Sequence, residues 1–202
     1  MIDKKDIYTN VLWFSPMIEL IVGGIILVVL GGWFFTTWNR LVRLEKEAER
    51  SWSNIDVILK QRYDMIPNLV NTVKGYAEHE SAIFMEFAKA RNAAAGALAN
   101  GDVAGVSQAE GILAGMLPRI NMVAEQYPDL KADSSFVNLQ RELVALENQL
   151  ADRREFYNSS ATNFNTAIEI IPTNFVAMVK SCKEMELFEV VGIERENVSI
   201  QF

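Results

Sequence analysis

A chain of 202 residues with net charge −7 has room for one principal globular core and an anchor, and it lacks the basic surplus that draws proteins to nucleic-acid phosphates. A single cysteine, Cys182, and a single histidine, His79, exclude an intrachain disulfide, a thiolate-rich metal centre and a two-histidine metal site. Neither metal nor cofactor is expected, and the lone cysteine leaves the redox compartment open.

Taken in order, residues 1–16 form a short N-terminal segment and residues 17–38 a transmembrane helix. From Leu20 to Phe35 no residue is charged, and the reach from Met17 to Trp38 supplies the ~20 residues that a hydrocarbon core requires. Only Glu19, near one end, is charged within it. Trp13 and Phe14 stand on one side and Trp33, Phe34, Phe35 and Trp38 on the other, as rings that settle at two interfaces do. A cleaved signal peptide is the competing reading. The bulky run Gly31-Gly32-Trp33-Phe34-Phe35-Thr36-Thr37-Trp38 offers no small-x-small cleavage site, so a retained anchor is expected. Lys4 and Lys5 precede the span while Arg40, Arg43, Lys46 and Arg50 follow it, which favours a cytoplasmic location for the large domain. Gly23, Gly24, Gly31 and Gly32 set small residues two turns apart on one face, where a second copy of the helix could pack closely; glycines are also simply common in membrane helices.

Residues 39–183 carry helical periodicity. Leu41, Leu44, Ala48, Ser51, Ile55, Ile58, Arg62, Met65 and Leu69, then Val73 and Tyr76, recur in steps of three and four, predicting one long helix that continues the span without a break. Pro67 should kink it or interrupt its ladder locally. A second helix is expected over 81–98 with Ile83, Phe84, Phe87, Ala90, Ala94 and Leu98 inward, ended by Asn100-Gly101-Asp102. A third starts at Val103 or Ser107 and ends at Tyr127, with Ile112, Leu113, Met116, Ile120 and Val123 inward and Pro118 as a possible kink. The spacing of Gly111 and Gly115 suggests close approach to a neighbouring helix. The fourth repeats Phe136, Leu139, Leu143, Leu146, Leu150, Arg153, Tyr157, Ser160, Phe164, Ala167 and Ile171 as a coiled-coil seam.

The first and fourth helices, each about 35 residues or on the order of 50 Å long, outreach the middle two. Their unmatched stripes call for a cover: a tail, a neighbouring subunit or lipid. A further short helix is expected over 174–183. In the tail, 184–202, Val190-Val191 and Val198-Ser199-Ile200 suggest an irregular or β-like segment.

Trp52-Ser53-Asn54-Ile55-Asp56-Val57, Gln61-Arg62-Tyr63-Asp64-Met65-Ile66-Pro67-Asn68-Leu69-Val70 and Lys74-Gly75-Tyr76-Ala77-Glu78-His79-Glu80 resemble the LemA family of bacterial membrane proteins. The likeness continues in Tyr127-Pro128-Asp129-Leu130-Lys131, Leu139-Gln140-Arg141-Glu142-Leu143 with Glu147-Asn148, and Tyr157-Asn158 through Asn163-Phe164-Asn165 to Pro172. It covers essentially residues 17–180; the tail after Lys183 departs from it. The resemblance implies an N-terminal transmembrane helix in the bacterial plasma membrane and an antiparallel, up-and-down four-helix bundle. It implies no established activity, and some relatives are associated with forming bacterial membrane organelles.

Residues that could carry chemistry read as structural. His79 sits between Glu78 and Glu80, but successive residues on a helix point about 100° apart and do not converge on a metal. Gly101, Gly105, Gly111 and Gly115 lack the Gly-Lys-Ser/Thr run of a phosphate loop. Asn158-Ser159-Ser160 and Asn197-Val198-Ser199 fit a glycosylation pattern but are discounted, the first because it lies inside a helix. Arg62 falls on the apolar stripe beside Tyr63 and Asp64, and a charged seam residue fixes register by pairing across a bundle. Glu147 or Glu142 on the fourth helix is the expected partner, and Arg153 invites the same reading. The sequence therefore points to a non-enzymatic membrane scaffold that contacts lipid, self-associates and organises membrane. The alternative is an anchored adaptor that docks another envelope or signalling protein.

Overall fold

The computed structural model describes residues 4–77 and 79–189, with side chains from residue 17 onward. Among the described residues the secondary structure is helical, without strands: α1 (Lys4–Lys74), α2 (Ser81–Ala99), α3 (Val103–Gln126), α4 (Pro128–Ala132), α5 (Ser134–Glu169) and α6 (Thr173–Lys180). The chain divides into two compact units: Met1–Arg43 with Thr166–Lys183, and Leu44–Asn165 with Glu184–Phe202.

α1 is helical from Lys4, upstream of the expected span, and it continues across Pro67 to Lys74 without interruption. In the larger unit its inward stripe is Ile55, Ile58, Leu59, Arg62, Tyr63, Ile66, Leu69 and Val73, continued by Ala77 beyond its end. The stripe follows 3.6 rather than 3.5 residues per turn. It has therefore drifted off the expected Met65 and Tyr76 onto Ile66 and Ala77. Tyr76 is exposed, and its hydroxyl donates to Asp133 at 2.9 Å.

These α1 side chains share one core with Phe84, Phe87, Ala90, Ala94 and Leu98 of α2, with Val106, Leu113, Met116, Ile120 and Val123 of α3, and with Phe136, Leu143, Leu146, Leu150, Tyr157 and Ala161 of α5. The turns are set by local chemistry. Gly101 has φ +67°, the left-handed conformation that glycine adopts without a Cβ penalty. Asp102 then caps α3, its side chain accepting the Gly105 amide at 2.8 Å. Asp133 accepts the Phe136 amide at 3.0 Å at the start of α5.

α1 and α5 run in opposite directions where they touch. Ser51 lies 3.3 Å from Ser160, the Trp52 and Tyr157 ring centroids are 5.2 Å apart, and Arg62 meets Glu147. Four expectations on inward faces are corrected. Ile171, expected on the α5 seam, lies past the end of that helix and is exposed. Ile112 is exposed, because Glu110 and Leu113 take the inward positions of α3. A Cβ at Gly115 would meet open space, so that glycine mediates no close helix approach. Ser160 is only half-buried, the inward place being filled by Ala161.

Residues 184–189 are neither helix nor strand but lie in register along α5. Asn165 accepts the Met185 amide at 2.9 Å and donates to the Met185 carbonyl at 2.8 Å; Asn158 does the same with Phe188, at 2.8 and 3.1 Å. Between them the Tyr157 hydroxyl donates to the Glu186 carbonyl at 2.7 Å. Phe188 is buried against Trp52, with the Arg154 guanidinium 5.9 Å from its ring centroid. The β-branched clusters at 190–191 and 198–200, and the Asn197 pattern, lie outside the described residues.

In the smaller unit, α1 contributes one helix long and apolar enough to cross a membrane. Its most apolar 18-residue window has mean hydropathy 2.3 and no buried residue. Thr37 and Leu41 of α1 are buried in this unit, together with Ala167 at the end of α5 and Thr173, Val176 and Ala177 of α6. α6 ends three residues before the expected boundary, because Ser181 takes the left-handed conformation at φ 58° and closes the helix.

Candidate functional site

The charged residue on the α1 stripe organises the one cluster of buried ionisable groups described in the larger unit. Arg62 is 2% exposed, and its guanidinium reaches two other helices. Nη1 donates to Glu110 Oε2 of α3 at 2.5 Å, and Nη2 lies 2.7 Å from Glu147 Oε2 of α5 outside good hydrogen-bond geometry. Arg62 thereby ties α1, α3 and α5 through a fork that lysine could not supply. Glu110 is nearly as buried as Arg62, whereas Glu147 is half exposed.

Burial raises the pKa of Glu110, and the positive charge of Arg62 opposes the rise. Burial likewise raises the pKa of Tyr63, with the adjacent Glu110 carboxylate adding to it. The Tyr63 hydroxyl feels that charge but makes no well-formed hydrogen bond, and Ser107 Oγ and Glu110 Oε1 are buried in the same state. One cation against two carboxylates, with a neutral phenol beside them, is a cross-tie. No nucleophile is paired with a base in it.

Of the residues singled out from sequence, Arg62, Tyr63 and Glu147 come together here; the others do not. Asp64 points outward, with its side chain 80% exposed and 3.8 Å from Arg91, since its neighbours Arg62 and Tyr63 occupy the inward arc. Arg153 is exposed. Arg154 is half-buried in its place, because the α5 stripe drifts by one residue from the heptad pattern. Glu142 is exposed as well. Glu110 was missed, although Val106, Glu110, Leu113 and Ile120 share the α3 stripe at spacings of three, four and seven. An acid on an otherwise apolar stripe was the available signal. Asn158, half-buried within its clamp on Phe188, is engaged as a structural residue. His79 is exposed in the turn between α1 and α2. A Cβ at Gly23, Gly24, Gly31 or Gly32 would meet open space within the chain.

Glu147 also reaches the surface through a groove of about 610 Å³ between α3 and α5. Leu69 of α1 forms part of its lining, with Leu117, Pro118 and Asn121 on one side and Val137, Gln140, Val144 and Asn148 on the other. Pro118 donates no amide to the Ala114 carbonyl one turn earlier, and both residues line the groove.

Comparison with known proteins gives a family and several relatives. The model of the LemA family matches residues 51–202. Magnetosome protein MamQ of Magnetospirillum gryphiswaldense is 25% identical over 182 residues, which cover 77% of this chain and 67% of the relative. Magnetosome protein MamQ 2 of Paramagnetospirillum magneticum is 25% identical over 175 residues, 75% of this chain and 64% of the relative. Protein LemA of Metamycoplasma hominis is 28% identical over 162 residues, 79% of this chain and 72% of the relative. The chain thus spans about two thirds of the length of the magnetosome relatives.

Proposed function

Because the chain belongs to the LemA family, we propose that it is a non-enzymatic, single-pass membrane scaffold whose copies associate laterally and organise or shape membrane. The observation that carries this reading is the lipid-compatible stretch of α1, with no residue buried in its most apolar window, on the same helix as the stripe that fills the larger unit's core. The resemblance to magnetosome proteins supports a role at a membrane.

In this reading α1, α2, α3 and α5 form an up-and-down four-helix bundle, held on the cytoplasmic face of the bacterial plasma membrane by the excess of Arg and Lys after the span. Gly23, Gly24, Gly31 and Gly32 leave open space that a second copy of α1 would fill. Arg62 and its two carboxylates set the bundle's register, and no residue carries catalysis. Cross-linking in native membranes should give a ladder of homo-oligomers, weakened by Gly24→Ile with Gly31→Ile. A detergent-solubilised protein that runs as a monomer at all concentrations, with no ladder in membranes, would overturn the proposal. A second reading, an adaptor for another envelope or signalling protein, is favoured by the α3–α5 groove. It predicts a stoichiometric foreign partner on co-purification that is lost with Val144→Glu.

A further inference from the structure

The smaller unit holds an apolar surface that neither the core nor the transmembrane stretch accounts for. α6 buries Thr173, Val176 and Ala177 on one face. On the other, Phe175, Met178 and Val179 are 61%, 74% and 66% exposed, and Ile171, just before the helix, is 77% exposed. Within α6, Phe175, Met178 and Val179 stand at i, i+3 and i+4, one helical stripe, and Ile171 is exposed in the turn that leads into the helix. Ile170 adds to it at the edge. Four large apolar side chains on one side of an eight-residue helix and its lead-in, all facing outward, make a contiguous patch of the kind that marks an interaction surface.

The position of that surface along α1 identifies its partner. In this unit the buried α1 residues described are Thr37 and Leu41, one turn apart, and the other elements of the unit are the end of α5 and α6. Thr37 lies at the end of the apolar stretch, one residue before its last ring, Trp38, and Leu41 follows that ring by three residues, about 4.5 Å along the axis. The headgroup zone beyond the hydrocarbon is about 5–7 Å deep on each side. The buried α1 residues of this unit thus stand at the level of the interface, where interfacial helices bury their apolar face about 5–10 Å deep. Arg40 and Arg43 on α1 and Lys183 after α6 are exposed basic groups of the same unit, suited to anionic headgroups; Glu19, near the other end of the span, and Glu169 are acids described in it.

We propose that α6 is a second membrane contact, an interfacial helix that lies in the lipid surface beside the exit of α1 and inserts Ile171, Phe175, Met178 and Val179 among the headgroups and upper acyl chains. The proposal rests on α1 spanning the bilayer. Bound in this way, α6 adds a wedge to one leaflet at each copy of the protein.

The test uses full-length protein in proteoliposomes of phosphatidylcholine and phosphatidylglycerol, in a Cys182→Ser background. Single cysteines at Met178→Cys, Ile171→Cys, Asp152→Cys and Val28→Cys carry an environment-sensitive fluorophore. Labels at 178 and 171 are expected to be quenched by lipids bearing a shallow spin label, and to be several-fold less accessible to aqueous iodide than the label at exposed position 152. Iodide quenching at 178 and 171 equal to that at 152 would overturn the proposal. So would shielding from iodide without lipid quenching that grows with the protein-to-lipid ratio, since a second copy would then be the cover. The label at 28 keeps the premise separate: if it escapes deep-lipid quenching the spanning reading fails, whereas quenching there without quenching at 178 defeats α6 alone.

Discussion

Replacing Arg62 by methionine leaves Glu110 without its counterion in a site where the carboxylate side chain is 7% exposed. The folded chain then holds a bare buried charge or protonates it. Protonating a glutamate of ordinary pKa ~4.3 at pH 7 costs about 2.7 units at ~1.36 kcal/mol each, or ~3.7 kcal/mol. That figure caps the penalty and falls within the ~3–5 kcal/mol measured when one partner of a buried pair is removed. The sign of the pH dependence follows. Burial already raises the folded pKa of Glu110 above its unfolded value, and removing Arg62, which opposes that rise, raises it further. The stability tied to its protonated form is full below the unfolded pKa and is lost as pH climbs through the folded one. Because the raised pKa of Glu110 in the parent already carries part of that cost, Arg62→Met should cost at most ~3.7 kcal/mol at pH 7 and at most about 1 kcal/mol at pH 5, where the protonation cost has dropped by two units. At ~2–4 °C per kcal/mol for a domain of this size, thermal unfolding followed by circular dichroism should show a fall of up to about 15 °C at pH 7. Arg62→Met with Glu110→Met should recover to within ~1 kcal/mol of the parent, because the remaining Glu147 is half exposed and stays hydrated. A single variant within ~0.5 kcal/mol of the parent at pH 7, an equal loss at both pH values, or a double variant as unstable as the single would each refute the reasoning.

The helices of this chain were legible because burial imposes a 3.6-residue period on apolar residues. α2, α3 and α5 begin and end within about two residues of where the pattern and the turn residues put them. Side-chain direction was harder to read. A heptad written onto α5 put Arg153 and Ser160 inward, whereas the helix turns slightly more slowly and brings Arg154 and Ala161 there instead. Arg62 was recognisable as a cation on an apolar stripe, and Glu147 as its partner across the antiparallel α1–α5 pair. Glu110 was not, because an acid flanked by Ala109 and Gly111 resembles a surface residue until a buried cation is known to face it. The tail was illegible for a different reason. Asn158, Asn165 and Tyr157 bind main-chain groups of 185–188, and backbone acceptors and donors leave no trace in residue type.

Removing the α3 cap with Asp102→Ala should cost about 0.5–2 kcal/mol in denaturant unfolding, while Gly105→Ala, whose Cβ would sit 2.3 Å from an Asp102 carboxylate oxygen, should also destabilise. The Asp133 carboxylate is held below the usual range by the Phe136 amide and then by the Tyr76 hydroxyl. Its stabilisation is present above the ordinary aspartate pKa and lost as pH falls through the lowered folded value, so Asp133→Ala should flatten the acid limb of a stability–pH profile. The tail clamp makes the sharpest geometric demand. Asn158 and Asn165 are seven residues apart on α5, about 10.5 Å at 1.5 Å per residue, and the residues they grip, Phe188 and Met185, are three apart, about 10 Å in extended chain. The match fixes both direction and register, so each asparagine should protect its own amide. Hydrogen exchange should accelerate at Met185 in Asn165→Leu and at Phe188 in Asn158→Leu, by roughly fivefold to tenfold for a net bond worth about 1 kcal/mol. Glu186→Ala should leave both amides protected, since Tyr157 binds the carbonyl and not the side chain. Loss of protection in that variant would mean that side-chain chemistry, not the spacing of two asparagines along a helix, holds the tail in place.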